Sequence, residues 1–265
     1  MIDTTTESFN LLSIAPGHSV QSDQVLEEAR IRLLDDPEPE RGRRIAISGD
    51  GRIARARFAG IMTTRFPSEF GVANPSEMAD DVEAMLSSEA LIAILSIESP
   101  GGEVQGTESA ALRIKAAMEE HPDKALIVTS EHLLASAAYW IGSMADLIIT
   151  SPSATVGSIG VVAIVNDPSK MLADAGIEQF VVKTGPLKAI GNGPLTDDQK
   201  EFITSEVNKN FQRFKSAVEN ARGISLSDEV LSGRTFRGDE ATDHGLVDQV
   251  GDVEGLLEKA AASIL

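Results

Sequence analysis

The chain has 265 residues, with 23 Lys+Arg against 41 Asp+Glu for a net charge of −18, and no cysteine. Its 42% hydrophobic and 24% charged residues exclude bulk disorder, and the acidity disfavours electrostatic docking on nucleic acid or anionic membranes. The missing cysteines exclude disulfides, thiolate nucleophiles and cysteine-ligated metal, and four scattered histidines with no His-x-x-x-His pair offer no zinc-hydrolase site.

In chain order, the start Met1-Ile2-Asp3-Thr4 lacks a basic-then-apolar leader pattern, and no run is apolar for the 18 or so residues of a membrane span. Residues 1–43 read as an N-terminal extension ahead of one domain over 44–265. The extension holds Pro16-Gly17, an acidic stretch Asp35–Glu40 and the basic cluster Arg41-Gly42-Arg43-Arg44. Val25, Leu26, Ala29 and Leu33 share a face, which predicts a helix over Ser22–Leu34. From Ile45 the pattern alternates: Ile45–Ile47 and Ile53–Phe58 predict strands around the turn signal Gly49-Asp50-Gly51. Helices are predicted over Pro75–Ser88, Gln105–Glu120, Ser136–Met144 and Pro168–Ala175. Buried strands are predicted over Leu91–Ile97, Ala125–Thr129, Leu147–Thr150, Val161–Val165 and Gln179–Val182. This alternation calls for an α/β fold of mostly parallel strands in βαβ units with outer helices. The strongest helix signal covers Thr196–Arg222, with a Thr196/Gln199 capping box and a Gly223 stop. Its length and its apolar residues Ile203, Val207, Phe211, Phe214 and Val218 suit a contact between copies. A short helix, a turn and a closing helix over Val253–Ile264 end the chain.

Three local patterns are fit for chemistry. Ser99-Pro100-Gly101-Gly102 follows a buried strand and precedes a helix, where unpaired N–H groups can hold a negative oxygen. On this feature alone a plain Gly-rich turn between strand and helix is the favoured reading. Ala135-Ser136-Ala137-Ala138-Tyr139 sets a serine among small residues at a helix start, with the Ala137 N–H next to it. This is the strand–turn–Ser–helix arrangement of a nucleophile elbow without Gly-x-Ser-x-Gly, and an N-cap serine would look the same. Lys188 lies among Leu187, Ala189 and Ile190 in a Gly/Pro-bounded loop. A lysine serves as a general base only where burial favours its neutral form, and most lysines are on surfaces. His132 is four residues before Ser136 but has no evident orienting acid, so no spacing supports a Ser-His-Asp triad, and a Ser-Lys pair is the preferred reading.

Together, Ser99–Gly102, Ala135–Tyr139, Ala145-Asp146, Val156-Gly157-Ser158-Ile159-Gly160-Val161, the Lys188 loop, Phe236-Arg237-Gly238-Asp239-Glu240-Ala241 and Gly245-Leu246-Val247-Asp248 resemble signal peptide peptidase A (SppA)-like serine peptidases, over about Ile45 to Val253. The resemblance implies a ClpP/crotonase-type fold and a Ser-Lys dyad without metal or cofactor. Ser136 would be the nucleophile, Lys188 the general base and Ser158 the hydroxyl that steadies its amine. Gly102 and Ala137 would supply the oxyanion amides, with Gly101 the alternative to Gly102. Val156, Gly157, Ile159 and Gly160 would lie along an extended peptide substrate, and a small apolar side chain would suit its first pocket. Ser136-Ala137-Ala138-Tyr139 departs from the Ser-Gly-Gly-Tyr of membrane-anchored members, and no anchor helix is evident. Both features resemble the phage branch, capsid-assembly proteases that cut scaffold and other head proteins inside a prohead in the host cytoplasm. A homo-oligomer with sites shared between subunits is expected, and any scaffold segment would be separate from this portion. The alternatives are a catalytically silent structural or scaffold component of a capsid, a cytoplasmic SppA-like peptidase that degrades peptides, and an acyl-CoA-binding crotonase relative, for which basic residues are scarce.

Overall fold

A computed structural model describes residues 45–48 and 50–264, so the helix expected over 22–34 and the rest of the extension lie outside the described residues. Ile45–Ile47 (β1) and Ile53–Ala59 (β2) form the expected antiparallel hairpin. Asp50 holds its turn, accepting the Ser48 hydroxyl at 2.8 Å and the Arg52 N–H at 3.1 Å. The chain continues through α1 (Pro75–Ser87), β3 (Ile92–Glu98), α2 (Thr107–Glu120), β4 (Ala125–Ser130), β5 (Leu133–Ala135), α3 (Ala137–Gly142), β6 (Leu147–Thr150) and β7 (Thr155–Gly157). There follow α4 (Ser169–Asp174), α5 (Asp197–Arg222), β8 (Thr235–Arg237), α6 (Gly238–Asp243), β9 (Gln249–Val250) and α7 (Val253–Ile264).

One sheet runs β1-β2-β3-β4-β6-β9 and is parallel except at β1. A small sheet, β5-β7-β8, joins β5 and β7 in parallel and β8 antiparallel. The fold is therefore α/β with mostly parallel strands, as expected from the alternating pattern. Period-two alternation gives the large sheet two apolar faces. Ala93, Leu95, Ile97 and Val128 belong to a core with Met78, Val82 and Met85 of α1 and Ile114 of α2. Ile53, Ile92, Ile94, Ile127 and Ile149 face the other way, onto Val253, Leu257 and Ala260–Ala262 of α7.

Local signals set the helix ends. Asn74 caps α1 by accepting the Ser76 N–H at 3.0 Å, with Pro75 in the first turn. The Thr196/Gln199 capping box opens α5, and Gly223 at φ 66° closes it. Only the second half of α5 is anchored in the core, where Phe214 stacks on Trp140 at 4.6 Å between ring centroids. Its first half borders a groove of about 280 Å³ lined by Ala163, Val165, Ile190, Phe202 and Ile203.

The strands expected at Val161–Val165 and Gln179–Val182 are not strands here. Both segments are irregular, and Ile164, Phe180 and Val182 are 62%, 80% and 99% exposed. Their apolar alternation predicts an extended chain with a buried side, but no strand among the described residues pairs with them. Beside them, Met171, Ile177 and Leu187 are also exposed.

Candidate active site

The site forms where two strand ends meet. β3 runs into the Ser99–Gly102 turn, and β5 runs into Ser136 at the start of α3. Ser99 joins them: its N–H donates to the Leu133 carbonyl at 2.7 Å, and its own carbonyl accepts the Ala135 N–H at 3.0 Å. Gly101 is pressed against the serine, for a Cβ added there would sit 2.3 Å from the Ser136 Cβ and 2.8 Å from its Oγ. With φ at +86° as well, only glycine fits.

Ser136 takes φ 53° and ψ −141°, which for a non-glycine residue costs about 1–3 kcal/mol. Its backbone is committed on both sides. The N–H donates to Gly157 O at 3.2 Å, and the carbonyl accepts from Tyr139 at 2.7 Å and Trp140 at 3.3 Å. The side chain is 1% exposed, and its Oγ has no hydrogen-bond partner among the described residues. A buried hydroxyl without a partner is unfavourable for stability and points to chemistry.

Two amides flanking this contact, one after each of Gly101 and Ser136, have no acceptor of their own among the described residues. Ala137 is the first residue of α3, and its N lies 2.7 Å from the position a Gly101 Cβ would take. Gly102 is bridged by Met62, which donates to Gly101 O at 2.9 Å and accepts from the Glu103 N–H at 2.9 Å. In such a bridge the N–H of Gly102 points to the opposite edge of the turn. The Gly101 N–H is instead taken by Ser99 Oγ at 3.1 Å. Of the two glycines, Gly102 is thus the one with an uncommitted donor.

Ser158 follows β7 at φ 66° and donates its N–H to Arg234 O at 2.7 Å, placing it next to the Gly157 carbonyl that holds Ser136. The expected substrate strand is narrowed by the pairing. Val156 and Gly157 have β5 on one edge and β8 on the other, so an incoming chain could pair only from Ile159 and Gly160 onward. The Val156 and Ile159 side chains are fully buried and serve the core.

Among the described residues, no hydrogen bond or ion pair joins Lys188 to this cluster. It is exposed in the irregular segment before α5, its backbone N–H donates to Gly185 O at 3.2 Å, and neither its amine nor Ser136 Oγ has a hydrogen-bond partner among the described residues. His132, the other base weighed, has a side chain 78% exposed, with Nδ1 3.7 Å from a Glu98 carboxylate oxygen. Among the described residues no cluster of His, Asp or Glu could hold a metal, and no helix is long and apolar enough to cross a membrane.

The remaining motifs brace the site from behind. The Tyr139 hydroxyl donates to Leu246 O at 2.7 Å, and burial pushes its pKa well above 10, so it stays a neutral donor. Arg222, 2% exposed, pairs with Asp248 at 2.6 Å, which also accepts the Ile148 N–H at 2.8 Å. Asp248→Ala would strand the guanidinium with only the Ala145 carbonyl at 3.3 Å and is expected to cost about 3–5 kcal/mol. Urea denaturation checks this, and an unchanged midpoint would refute it. The Phe236–Ala241 motif is a close approach: a Cβ on Gly238 would sit 2.2 Å from Ser151 O. Sequence reading missed Glu98, whose carboxylate accepts three consecutive amides at the entry to β5, those of Glu131, His132 and Leu133. An acid ending a buried strand immediately before Ser99-Pro100-Gly101-Gly102 was the available signal.

The model of peptidase family S49 matches residues 119–264. The chain is 30% identical over 182 residues to Protease 4 of Salmonella typhi, covering 68% of this chain and 29% of that protein. It is 28% identical over 170 residues to Protease 4 of Haemophilus influenzae and 27% identical over 164 residues to the chloroplastic serine protease SPPA of Arabidopsis thaliana. These matches cover 63% and 60% of this chain but only 27% and 24% of those proteins, so the chain spans under a third of these relatives' length. Similar solved structures include ClpP1 from Listeria monocytogenes, at 14% identity and a TM-score of 0.43 over 76% of this chain and 94% of that one. Another is an enoyl-CoA hydratase/carnithine racemase from Magnetospirillum magneticum, at 14% identity and a TM-score of 0.45 over 89% of this chain and 78% of that one. With more than half of its residues matched by the family model, the chain belongs to peptidase family S49.

Proposed function

We propose that this chain is a serine endopeptidase with a Ser-Lys dyad, Ser136 acting as nucleophile and Lys188, from a neighbouring copy, as general base. The observation that carries the reading is the buried Ser136 hydroxyl, without a partner among the described residues, held at φ 53° against Gly101 with the next amides, those of Ala137 and Gly102, uncommitted there. The neutral Lys188 amine takes the Oγ proton as Oγ attacks the scissile carbonyl, and the two amides stabilise the oxyanion. The resulting ammonium then protonates the leaving amine. Lysine next deprotonates the water that hydrolyses the acyl-enzyme, and Ser158 steadies the amine throughout.

The exposed apolar surface around Lys188 supports a base supplied by a second copy. Phe180, Val182 and Leu187 are left in water by a single chain, and burying them between copies would also strip the amine of water. The substrate we propose is an extended protein segment along Ile159–Gly160, in scaffold or other head proteins during phage capsid maturation within a prohead in the host cytoplasm. Ser136-Ala137-Ala138-Tyr139 is the feature that favours this branch. Mass spectrometry of co-expressed head proteins tests that setting.

Mixing inactive Ser136→Ala and Lys188→Ala chains tests the shared site. A randomly mixed ring restores about one quarter of the sites, since each needs one intact serine and one intact neighbouring lysine. Fluorogenic casein hydrolysis reads the recovery, and complete silence after co-assembly would rule out sites shared between copies. Failure of the wild-type assembly to take a fluorophosphonate at Ser136 would favour the silent structural component.

A further inference from the structure

Glu98 is the last residue of β3, one position before the Ser99–Gly102 turn, and the mechanism above does not use it. Its side chain is 18% exposed and reaches the loop that links β4 to β5. One carboxylate oxygen accepts the N–H of Glu131 at 2.5 Å and of His132 at 3.3 Å. The other accepts the N–H of His132 at 3.1 Å, that of Leu133 at 2.9 Å and the Ser130 hydroxyl at 3.3 Å. Successive amides turned toward one point form an anion nest, and here the chain fills it with its own carboxylate.

The consequence lies three residues on. β5 is only Leu133–Ala135, and Ser136 follows directly. Glu98 fixes the first amide of β5, and Ser99 bonds its first carbonyl and last amide. The strand bearing the nucleophile and the turn bearing Gly102 are thus anchored on one adjacent pair of residues. We infer that Glu98 is a positioning residue of the active site, its carboxylate setting β5, and with it the Ser136 backbone, against the Ser99–Gly102 turn. The effect on catalysis rests on the protease reading; the effect on β5 does not. A strained serine needs such support, because a displacement of about 1 Å at a reacting atom can cost about 10²-fold in rate.

Glu98→Gln is the informative variant. It keeps the shape, but both oxygens of Glu98 are acceptors, so its amide NH2 must face an N–H of the loop. The expected result is a kcat lower by about 10- to 100-fold with KM within about threefold, and slower fluorophosphonate labelling of Ser136 to match. Hydrogen exchange supplies a readout independent of activity. In the wild-type chain the amides of residues 131–133 are expected to be protected although Glu131 and His132 are exposed. In Glu98→Gln they should exchange at least about tenfold faster, with Leu126–Thr129 of β4 unchanged. Unprotected 131–133 amides in the wild type, wild-type kcat in the variant, or faster exchange throughout β3 and β4 would each overturn the inference. A wild-type chain that neither cleaves nor labels would sink the protease reading, while the exchange comparison would still decide what Glu98 holds.

Discussion

Replacing Ser136 by alanine is expected to lower kcat by about 10⁴- to 10⁶-fold and, at the same time, to raise stability. The first effect follows from loss of the nucleophile. The second follows from its surroundings in the unassembled chain: the Oγ is buried with no partner among the described residues, so deleting it there removes a desolvation penalty of about 1 kcal/mol. Ser136→Gly goes further, because glycine adopts φ 53° without strain. Part of that further gain is offset by the greater freedom of glycine in the unfolded chain, leaving about 1 kcal/mol beyond the alanine variant, or roughly 2–4 °C more in Tm. Thermal melts and casein hydrolysis on the same preparations check both directions. An unassembled alanine variant that melted lower than the unassembled wild type would show that the hydroxyl has a structural partner within its own chain.

Gly101→Ala is expected to inactivate by a different route. The new Cβ would meet the Ser136 Cβ at 2.3 Å and the Ala137 N at 2.7 Å, on a backbone at φ +86°. Relief requires the turn and the nucleophile to move apart, displacing the Gly102 amide from the reacting carbonyl. Loss of one oxyanion donor alone costs about 10²–10³ in kcat, and the steric strain adds about 1–3 kcal/mol of instability. Gly102→Ala is a useful contrast, since its Cβ would meet Met62 O at 2.1 Å, on the far side from the serine. Labelling of Ser136 by a fluorophosphonate should therefore suffer most in Gly101→Ala. Wild-type labelling in that variant would contradict the contact between the turn and the serine.

The residues that specify local structure were readable without coordinates. Thr196, Gln199 and Gly223 bound α5 because capping chemistry is contained in a few neighbouring residues. The run Ile92–Ile97 is a buried strand because both of its faces are covered, by α1 and α2 on one and α7 on the other. Ser136 stood out by its small neighbours and its place at a strand end. The failures share a cause. Apolar alternation at Val161–Val165 signals an extended segment but does not say which strand will lie beside it, and none among the described residues does. Lys188 is a similar case: sequence can set it among Leu187, Ala189 and Ile190, but burial depends on what packs over that loop. Glu98 escaped notice because its role is built from the amides of residues 131–133, more than 30 positions away, and backbone donors leave no side-chain signature.

The way α7 covers the large sheet has a bearing on biosynthesis. Ile53, Ile92, Ile94, Ile127 and Ile149 all lie in strands finished by residue 150, yet the helix that shields them begins at Val253. A ribosome adding about 5–20 residues per second needs roughly 5–20 s to make the intervening hundred. Throughout that interval the nascent chain presents a row of isoleucines with nothing over them, a surface suited to chaperones and prone to aggregation. A premature stop ahead of Val253 would make that transient exposure permanent, spoiling solubility with every residue of the serine site intact.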